Sequence, residues 1–488
     1  MIIESQSGKK YELVIGLEIH AQINSNSKIF STSENNWNSG ANQNISPMDI
    51  ALPGALPVIN IDAVQQVIRA GIAINATINT TSYFDRKNYF YPDLPSGYQI
   101  TQFYKPIVEN GYVEISTESG EKKRINIQRI HIEQDAGKSI HDRVENATML
   151  DFNRAGIGLM EIVSYPEMKT PHEATEYTKK IRSILKAVKS SDADMEKGSM
   201  RVDVNVSVMP LGTTEFGTRC EIKNLNSIRS MHTAIEYEAK RQVDIIESGG
   251  KVTQETRLFD SETLKTRTMR EKVDAVDYKY FPDPDLPPLK ISQELISKLQ
   301  ETLPELPEAK FQRYQALGLS EKDSKLLAED SDYSDYFDKV IEKHDAKNAY
   351  TWIMVEMLGR ANKANILFNN LPISPENIIE LLGLIAGGII NGKIAKNVMD
   401  EMFENIAMGD TKSPKEIVQN KGLQQIDNTQ EIKKMVQEVV ANYPAQAEAY
   451  KAGNAKLLGF FVGEVMKIAA GKANPASVNK ILLEILNG

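Results

Sequence analysis

Two segments of the chain alternate strictly between apolar and polar residues. In residues 11–23 the apolar positions are Leu13, Ile15, Leu17, Ile19 and Ile23, and the opposite positions include Glu12, Glu18, His20 and Gln22. In residues 200–208 the apolar positions are Met200, Val202, Val204, Val206 and Val208, and the opposite ones are Arg201, Asp203, Asn205 and Ser207. A period of two predicts β-strands that cover one face and leave the other polar, as is typical of antiparallel sheets.

Helical periodicity interrupts this strand-rich region at about residues 61–75, 171–189 and 228–247. The mixture predicts an α+β fold with a largely antiparallel sheet rather than regular alternation of strands and helices. The proline-rich stretch YFPDPDLPPL (280–289) cannot continue a helix or a central strand. We therefore predict that a first domain covers residues 1–292.

The remainder of the chain reads as helical. A second boundary is indicated at MGDTKSP (408–414), which predicts two all-helical domains, 293–407 and 408–488. Near the end, Asn474 and Pro475 follow Gly471 in the order of a helix stop, an N-cap and a proline at the first helical position. This order predicts a final helix that begins at Pro475.

Length and composition fit this picture. At roughly 150 residues per domain, 488 residues predict about three domains. The net charge of −9 provides no global attraction for nucleic acid, so such a partner would have to bind local basic patches. The single cysteine, Cys220, excludes an internal disulfide framework, and no signal peptide or membrane-length apolar run is visible. We expect a cytoplasmic protein.

One short motif suggests a phosphate-binding loop but does not meet the requirements. AGKS (136–139) contains the Gly-Lys-Ser core of a P-loop, yet the position that needs the first glycine holds Ile132. A turn after a strand explains the motif better. If the protein uses ATP, it does so on another scaffold.

The polar strand faces carry the candidate chemistry. Glu18 and His20 are two residues apart on one strand, so both point into the same space and could bind a divalent cation; a solvent-facing pair is the alternative. IHIEQDAGK (130–138) adds His131, Glu133 and Asp135 on one face, with Gln134 on the other unless a bulge intervenes. Taken alone, this segment could equally be an ordinary strand end.

Cations and aromatic residues occur together in FDRKNYFYPDLPSGYQITQ (84–102). Such a mixture can hold phosphates and stack on bases, although an aromatic-rich packed turn explains it equally well. TRCEIKNLNS (218–227) places Arg219, Glu221 and Lys223 on one strand face and Cys220 on the other, which predicts a buried thiol rather than a nucleophile. Metal-type ligands, cations and aromatic side chains on a sheet together suit phosphoryl transfer.

Longer segments resemble the GatB/GatE family of tRNA-dependent amidotransferase subunits. The matching segments are VIGLEIH (14–20), LPGALPVIN (52–60), FDRKNYFYPDLPSGYQI (84–100), DAGKS (135–139), NRAGIGLMEIVS (153–164), MEKGSMRVDVNVSV (195–208), EIKNLNS (221–227), DYKYFPDPDLPPL (277–289) and GFFVGEVMKIAAGKANP (459–475). They occur in the family's order and span nearly the full length.

The resemblance implies a fold and an activity. The first domain would be the family's cradle domain, in which ATP and Mg²⁺ activate the side-chain carboxylate of Glu-tRNA(Gln), Asp-tRNA(Asn) or both as an acyl phosphate. Ammonia from an amidase-type A subunit would then form the amide, and a small C subunit would complete the heterotrimer. The helical tail would bind the tRNA body. The chain has no ammonia-producing signature of its own.

The resemblance also implies roles for individual residues. The catalytic candidates are Glu18, His20, Lys87 and Asp203, and the metal candidates are Glu18, His20, Glu133 and Gln134. The ATP-binding candidates are Arg86, Lys87, Arg201, Asn205, Glu221, Lys223 and Asn224. Tyr89, Tyr91 and Arg154 are assigned to the tRNA acceptor end, and Lys456, Lys467 and Lys472 to the tRNA body.

Two departures from the family pattern matter. Where many members carry two cysteine pairs for zinc, this chain has Ser31, Ser33, Ser46 and Asp49, so we predict no structural zinc. Where the family has Glu-Glu-Asp, this chain has Glu133-Gln134-Asp135. An amide oxygen brings no charge to a cation, which puts Gln134 as a ligand in doubt and leaves Glu133 as the substitute.

Two other functions compete with this one. A non-catalytic tRNA-binding adaptor would not need the polar faces at 18–20 and 201–207. A free-standing ligase acting on a small molecule would not need the helical region of about 200 residues at the end of the chain.

Overall fold

The computed structural model of the chain describes residues 1–36, 38–271, 278–407, 412–426 and 428–487. The chain divides into two compact units, Met1–Ala309 and Lys310–Gly488. In the described part of the chain, no helix combines the length and the apolar character that crossing a membrane requires.

The first unit is an α+β fold, as the alternating and helical patterns predict. Its strands are β1 Ile2–Glu4, β2 Lys10–Gln22, β3 Thr77–Ile78, β4 Thr81–Ser82, β5 Asp85–Asn88, β6 Tyr98–Thr101, β7 Val108–Ser116, β8 Lys122–Gln134, β9 Lys138–Ile140, β10 Met149–Asp151, β11 Gly158–Ser164, β12 Met200–Pro210, β13 Cys220–Lys223, β14 Glu255–Asp260, β15 Lys265–Glu271, β16 Phe281–Pro282 and β17 Leu289–Lys290. Its helices are α1 Ile61–Ala73, α2 Pro171–Ala187, α3 Ile228–Glu247 and α4 Gln293–Glu301.

The main sheet has the order β15-β14-β13-β12-β2-β11-β8-β7-β3, with β1 beside β2. Its strands pair antiparallel except β13 with β14. One face of the sheet, with the apolar residues of β2 and β12, forms a core together with α1, α2 and α3. The three helices begin at the side-chain caps Asn60, Thr170 and Ser227, so their predicted positions are confirmed.

A smaller, three-stranded sheet lies beside the main one, with β6 in contact with β8. β5 is its central strand and pairs antiparallel with β6 and with β16. The proline-rich stretch therefore forms two short strands, β16 and β17, whose prolines lie in or next to edge positions. α4 follows and contributes Ile296 and Leu299 to the first core, so the first unit continues to Ala309.

The second unit is helical. It contains α5 Pro307–Ala316 (which begins in the first unit), α6 Glu321–Glu329, α7 Ser331–Ile341, α8 Ala346–Tyr350, a π-helical turn Thr351–Met357, α9 Leu358–Lys363, a 3₁₀ turn Phe368–Asn370, α10 Pro375–Ala386, α11 Gly392–Ala407, α12 Pro414–Asn420, α13 Thr429–Asn442, α14 Pro444–Lys451, α15 Leu457–Ile468 and α16 Pro475–Asn487. α16 begins at Pro475 behind the Asn474 cap, as predicted.

Two cores lie within this unit. One contains residues of α7, α10, α11 and α12, including Ile417 and Val418. The other contains residues of α13, α15 and α16. The predicted boundary at residues 407 and 408 borders 408–411, which lie outside the described residues. The division into 1–292, 293–407 and 408–488 therefore stays a prediction.

Candidate functional site

Strand register brings polar side chains from four neighbouring strands into one row across the main sheet. Arg201 of β12 pairs with His20 of β2, His20 pairs with Glu161 of β11, and Glu161 pairs with His131 of β8. Asp203 and Glu18 are likewise direct partners in the next row. Because directly opposed side chains on one face are about 5 Å apart, the pairing assembles charges that are distant in the sequence.

These rows form the floor of a cavity of about 930 Å³. The site residues predicted from the sequence that line it are Glu18, His20, Lys87, Tyr89, Tyr91, Glu133, Arg201, Asp203, Asn205, Glu221, Lys223 and Asn224. Further lining residues include Phe103, Arg129, His131, Asp135, Glu161, Arg219, Tyr278 and Tyr280. A cavity of this volume accommodates a nucleotide-sized ligand.

Four side chains form an acid–histidine cluster on the floor: His20, His131, Glu133 and Glu161. His20 Nε2 lies 3.3 Å from Glu161 Oε2 and 3.6 Å from Glu133 Oε1. His131 Nε2 lies 3.2 Å from the same oxygen of Glu161. Arg129 Nε donates to His131 Nδ1 at 3.3 Å, which leaves Nε2 as the nitrogen that carries the proton toward Glu161.

The cluster shifts the pKa values of its two carboxylates in opposite directions. Burial, then the charge of Glu161, raises the pKa of Glu133. Burial also disfavours the charged form of Glu161, but the two histidines outweigh it and hold its pKa well below the usual range. Burial lowers the pKa of His20, yet the hydrogen bond to Glu161 and the surrounding carboxylates raise it to about 9.

A second charged group lies along β12 and β13. Asn205 Nδ2 donates to Glu18 Oε1 at 3.0 Å. Lys223 Nζ contacts Asp203 and lies 2.9 Å from Glu221 Oε1. Burial, then the carboxylates of Glu161, Glu221 and Asp203, raises the pKa of Glu18. Lys223 thus compensates the negative charges of Asp203 and Glu221.

The opposite wall of the cavity is cationic and aromatic. Lys87 Nζ lies 5.0 Å from the ring centre of Tyr278 and 5.7 Å from that of Tyr89. Arg201, which lies in the floor row beside His20, donates from Nη2 to Asp135 Oδ2 at 2.8 Å, and its half-exposed guanidinium has further donors toward the cavity. Lys87 and Arg201 are therefore placed to bind anionic groups.

Three of the site residues predicted in the first unit lie outside the cavity lining. Arg86 Nε and Nη2 donate to Asp283 at 2.8 Å and to Asp285 at 2.7 Å, away from Lys87 on the same strand. Arg154 donates to the backbone oxygens of Ala136 and Gly137.

Gln134 is the third. Its side chain lines a smaller adjoining cavity, because β8 pairs regularly with β11 from Arg129 to Gln134 and strict alternation turns Gln134 away from Glu133. The structure thus brings Glu161, rather than Gln134, next to His20 and Glu133.

The lysines assigned to the tRNA body lie in the second unit. Lys456 is exposed just before α15. Lys467 pairs with Glu464 at 2.5 Å, and Lys472 donates to the backbone oxygen of Gly422 at 2.8 Å. Their side chains are at the surface of the last helices, and their role stays a prediction.

Sequence reasoning missed Glu161, which is at the centre of the acid–histidine cluster. A signal was present: in GLMEIVS (158–164) a single carboxylate interrupts an apolar strand whose neighbours are buried. Phe103, Tyr278 and Tyr280 were also missed as lining residues, since they come from loops whose direction no local period predicts.

The four positions at which the resemblance leads one to expect zinc-binding cysteines, Ser31, Ser33, Ser46 and Asp49, include one member of a buried ion pair. Lys28 Nζ, fully buried, lies 3.1 Å from Asp49 Oδ2. Asp49 also accepts from Ser31 Oγ at 2.9 Å and from the backbone of Ser46 at 2.8 Å. The Lys28–Asp49 ion pair and the hydrogen bonds to Asp49 thus hold this loop together. The absence of zinc stays a prediction.

The donor set fits a divalent cation. One atom each of His20, Glu133 and Glu161 lie within 4.8 Å of one another, and no other such group of histidine, cysteine or acidic residues occurs among the described residues. Carboxylate oxygens suit Mg²⁺, and a cation would relieve the repulsion between Glu133 and Glu161. Lys87, Arg201 and Lys223 border the same cavity and fit the phosphates of a nucleotide.

Comparison with known proteins identifies two family matches and many relatives. The GatB/GatE catalytic domain matches residues 13–297, and the GatB domain matches residues 335–486. The B subunit of the aspartyl/glutamyl-tRNA(Asn/Gln) amidotransferase of Rickettsia conorii is 51% identical over 99% of both chains. The protein of the same name from Wolbachia pipientis wMel is 50% identical over 98% of this chain and 99% of its own.

Proposed function

Because the chain belongs to the GatB/GatE family, we propose that it is the B subunit of a glutamine-dependent amidotransferase that acts on aminoacyl-tRNA. Its substrate class is tRNA that carries glutamate or aspartate where the amide is required: Glu-tRNA(Gln), Asp-tRNA(Asn) or both. The reaction forms a carbon–nitrogen bond for protein synthesis. The relatives that support this proposal align over essentially their full length.

The observation that carries the proposal is that the acid–histidine cluster, Lys87 and Arg201 line one cavity. A carboxylate does not react with ammonia until one of its oxygens becomes a good leaving group. The side-chain carboxylate of the aminoacyl group therefore attacks the terminal phosphorus of ATP, the bond to the bridging oxygen breaks, and ADP leaves. Ammonia then attacks the acyl carbon, phosphate leaves with the bonding electrons, and the attacking nitrogen loses a proton.

The residues divide this work by charge. Glu133, Glu161 and His20 in its neutral form would hold a divalent cation, which would neutralise phosphate charge. Lys87 and Arg201 position the anionic oxygens of the phosphate and the substrate carboxylate. Asn205 and Lys223 orient Glu18 and Asp203 beside them. Preorganised charges of this kind stabilise the transition state without reorganising during the reaction.

Ammonia has to come from a partner. Cys220, the single cysteine, is buried, and its burial raises the pKa of the thiol to about 12. A protonated thiol on the covered side of the sheet cannot act as a glutaminase nucleophile. An amidase-type A subunit is the proposed source, and a small C subunit is proposed to complete the complex, in the cytoplasm.

The test uses the chain in complex with its A and C partners, with Mg²⁺ and ATP. We expect ATP hydrolysis to appear only with charged tRNA, and amide product to form when glutamine is added. Glu-tRNA(Gln) and Asp-tRNA(Asn) are assayed separately. An intact complex without tRNA-dependent hydrolysis would support the adaptor function instead.

Variants separate the remaining alternatives. Glu18→Ala, His20→Ala and Glu161→Gln should each abolish hydrolysis and leave tRNA binding nearly unchanged. Glu114→Gln is the control, since Glu114 is an exposed acid of the same sheet on β7. Full activity of Glu161→Gln would exclude the acid–histidine cluster as the cation site.

A further inference from the structure

Six aromatic rings from three loops form a continuous arc at one wall of the cavity. In order they are Tyr91, Tyr89, Tyr278, Tyr280, Phe103 and Tyr104. Neighbouring ring centres are 6.0, 6.1, 6.0, 4.1 and 5.0 Å apart in that order. The first five rings line the cavity, and Tyr104 extends the arc beyond it. We call these six residues the aromatic arc.

The arc is held by polar anchors on β5 rather than by burial of its rings. Asp85, fully buried, accepts the backbone N–H groups of Phe103 at 2.8 Å and Tyr104 at 3.1 Å. At the other end of β5, the Asn88 side chain donates to the backbone oxygens of Tyr278 at 3.1 Å and Lys279 at 2.8 Å. The two ends of one short strand therefore position two of the three loops.

Backbone strain points in the same direction. Lys279, between the two tyrosines, has a φ of +47°, a conformation that costs a non-glycine residue free energy. The bonds from Asn88 hold the chain in this conformation, with Tyr278 and Tyr280 both facing the cavity. Strain that the surrounding structure maintains is common at ligand sites.

The outer rings remain open to solvent. Tyr91 is 57% exposed, Phe103 47% and Tyr104 59%. A structural aromatic cluster would bury its rings, because burying apolar ring surface is what stabilises such a cluster. An exposed row of rings next to a polar cavity is instead typical of a binding surface.

Charge complementarity indicates the kind of ligand. Lys87 lies against the rings of Tyr89 and Tyr278, and exposed Lys105 directly follows Tyr104. Aromatic rings with interspersed cations are the combination that binds single-stranded nucleic acid, since bases stack on the rings and phosphates contact the cations. One adenine covers about one ring, whereas a run of unpaired bases can use several.

We propose that the aromatic arc binds the unpaired nucleotides at the 3′ end of the aminoacyl-tRNA, with Asp85 and Asn88 as the residues that position it. This assignment rests on the proposed function and extends the acceptor-end contact from Tyr89 and Tyr91 to four further rings. The inner rings of Tyr89, Tyr278 and Tyr280 line the same cavity as the acid–histidine cluster. A chain end that stacks along the arc therefore delivers its terminal aminoacyl group to the cavity floor.

The test measures RNA binding independently of catalysis. The probe is an RNA hairpin with a short unpaired 3′ tail, compared with the same hairpin ending blunt, and binding to the assembled complex is followed by fluorescence anisotropy. The variants are Phe103→Leu and Tyr104→Leu, singly and together, because leucine keeps apolar bulk but removes the ring face. Both side chains are exposed, so folding should be retained. Tyr112→Leu is the control: this ring lies on β7 under Arg124, 3.6 Å from its guanidinium carbon.

The unaltered complex and Tyr112→Leu should bind the tailed hairpin about tenfold more tightly than the blunt one, and the double variant should lose this preference. In the amidation assay the KM for charged tRNA should rise and the KM for ATP should not. Equal binding of both hairpins by the unaltered complex would overturn the proposal. A rise in the KM for ATP alone would also overturn it and assign the arc to adenine.

Failure of the proposed function gives a different pattern. Suppose that the unaltered complex prefers the tailed hairpin, that the double variant does not, and that the unaltered complex still forms no amide. The aromatic arc would then remain an RNA site. These results would contradict the proposed amidotransferase function but not the binding of RNA by the aromatic arc.

Discussion

Strand β5 places each of its four side chains in a different environment. Asp85 and Asn88 anchor loops, Lys87 faces the cavity, and Arg86 faces Asp283 and Asp285. Arg86 also lies over the ring of Tyr98, with its guanidinium carbon 4.0 Å from the ring centre. Two adjacent cations in one strand therefore have separate roles, because successive side chains point to opposite faces.

Substitution of these two cations should separate catalysis from stability. Lys87→Met should lower kcat of amidation by about 10²-fold or more, since it removes a preorganised charge, and leave the melting temperature nearly unchanged. Arg86→Met should instead destabilise the first unit by about 3 kcal/mol, because it leaves the buried carboxylate of Asp283 without its partner. Amidation kinetics and thermal unfolding of each variant check both expectations. Loss of activity in a fully stable Arg86→Met variant would contradict this division.

The buried Lys28–Asp49 pair gives a second prediction at this scale. Asp49→Ala leaves Lys28 buried without its carboxylate, and burial already lowers the pKa of that amine. We expect a loss of about 3 kcal/mol in the free energy of unfolding, which urea unfolding followed by circular dichroism measures. Thr32→Ala, at a neighbouring exposed position, is the control. Added zinc should not restore stability; recovery on zinc addition would show a metal site in this loop.

At the scale of elements, helix α3 is fastened to the sheet by a buried network of charges. Glu238, fully buried, accepts from Arg241 at 2.7 Å, from Gln242 at 2.9 Å and from Thr266 at 3.0 Å. Arg257 of β14 joins it, with Nε 3.3 Å from Glu238. On the cavity side of β14, Thr256 donates to Glu221 at 2.8 Å, so one strand links the network to the site.

Removal of the central carboxylate should loosen this attachment. Glu238→Ala should lower the free energy of unfolding of the first unit by about 3 kcal/mol at neutral pH, because it removes a buried carboxylate that Arg241 and Arg257 share and leaves Glu255 as the acid between them. Glu236→Ala on the same helix, half exposed, should change it by less than about 0.5 kcal/mol. Urea unfolding followed by circular dichroism measures both.

The pH dependence of this effect has a definite sign. Burial alone raises the pKa of Glu238, but the hydrogen bonds and charge of Arg241 outweigh it and lower the pKa below the ordinary value of 4.5. The contribution is therefore complete above about pH 4.5 and is lost as the pH falls through the lowered pKa. The difference between the unaltered chain and Glu238→Ala should narrow in acid. A difference that widened below pH 4.5 would contradict the assignment of a charged Glu238.

At the scale of the whole molecule, the cavity is contained in the first unit, while the helical region has two cores of its own. Ile417, Val418 and Leu423 pack with the earlier of these cores, and the later one begins at Ile426. A truncation that removes only the last core should therefore start after Leu423 rather than at the proline-containing stretch near 414.

Deletion of residues 424–488 tests whether the tail serves tRNA. The first unit should keep its thermal transition, because the deleted residues belong to another core. The KM for charged tRNA should rise by tenfold or more, with little change in the KM for ATP. Substitution of Lys456, Lys467 and Lys472 together should reproduce part of the increase in the KM for charged tRNA. This part should become smaller as the salt concentration rises, because salt screens the attraction between lysines and phosphates. Unchanged amidation by the truncated chain would favour a ligase for a small substrate.

The sequence alone determined which face of each strand is polar. The period of two in 11–23 and 200–208 predicts that Glu18, His20, Asp203 and Asn205 share the working face, and all four line the cavity. The helix positions and the cap at Asn474 were also predictable. These features depend on the backbone geometry of a few neighbouring residues, which is why a single sequence contains them.

Tertiary structure decided which polar residues meet. The sequence does not pair β2 with β11, and only that register places Glu161 beside His20. Only the fold brings Arg86 to its partners Asp283 and Asp285, which come from a distant loop. It also brings together the aromatic rings at the cavity wall, which come from three loops. Strand pairing and loop direction depend on contacts between residues far apart in the chain. A local pattern can therefore give the face of a side chain, but its neighbours follow from the folded chain.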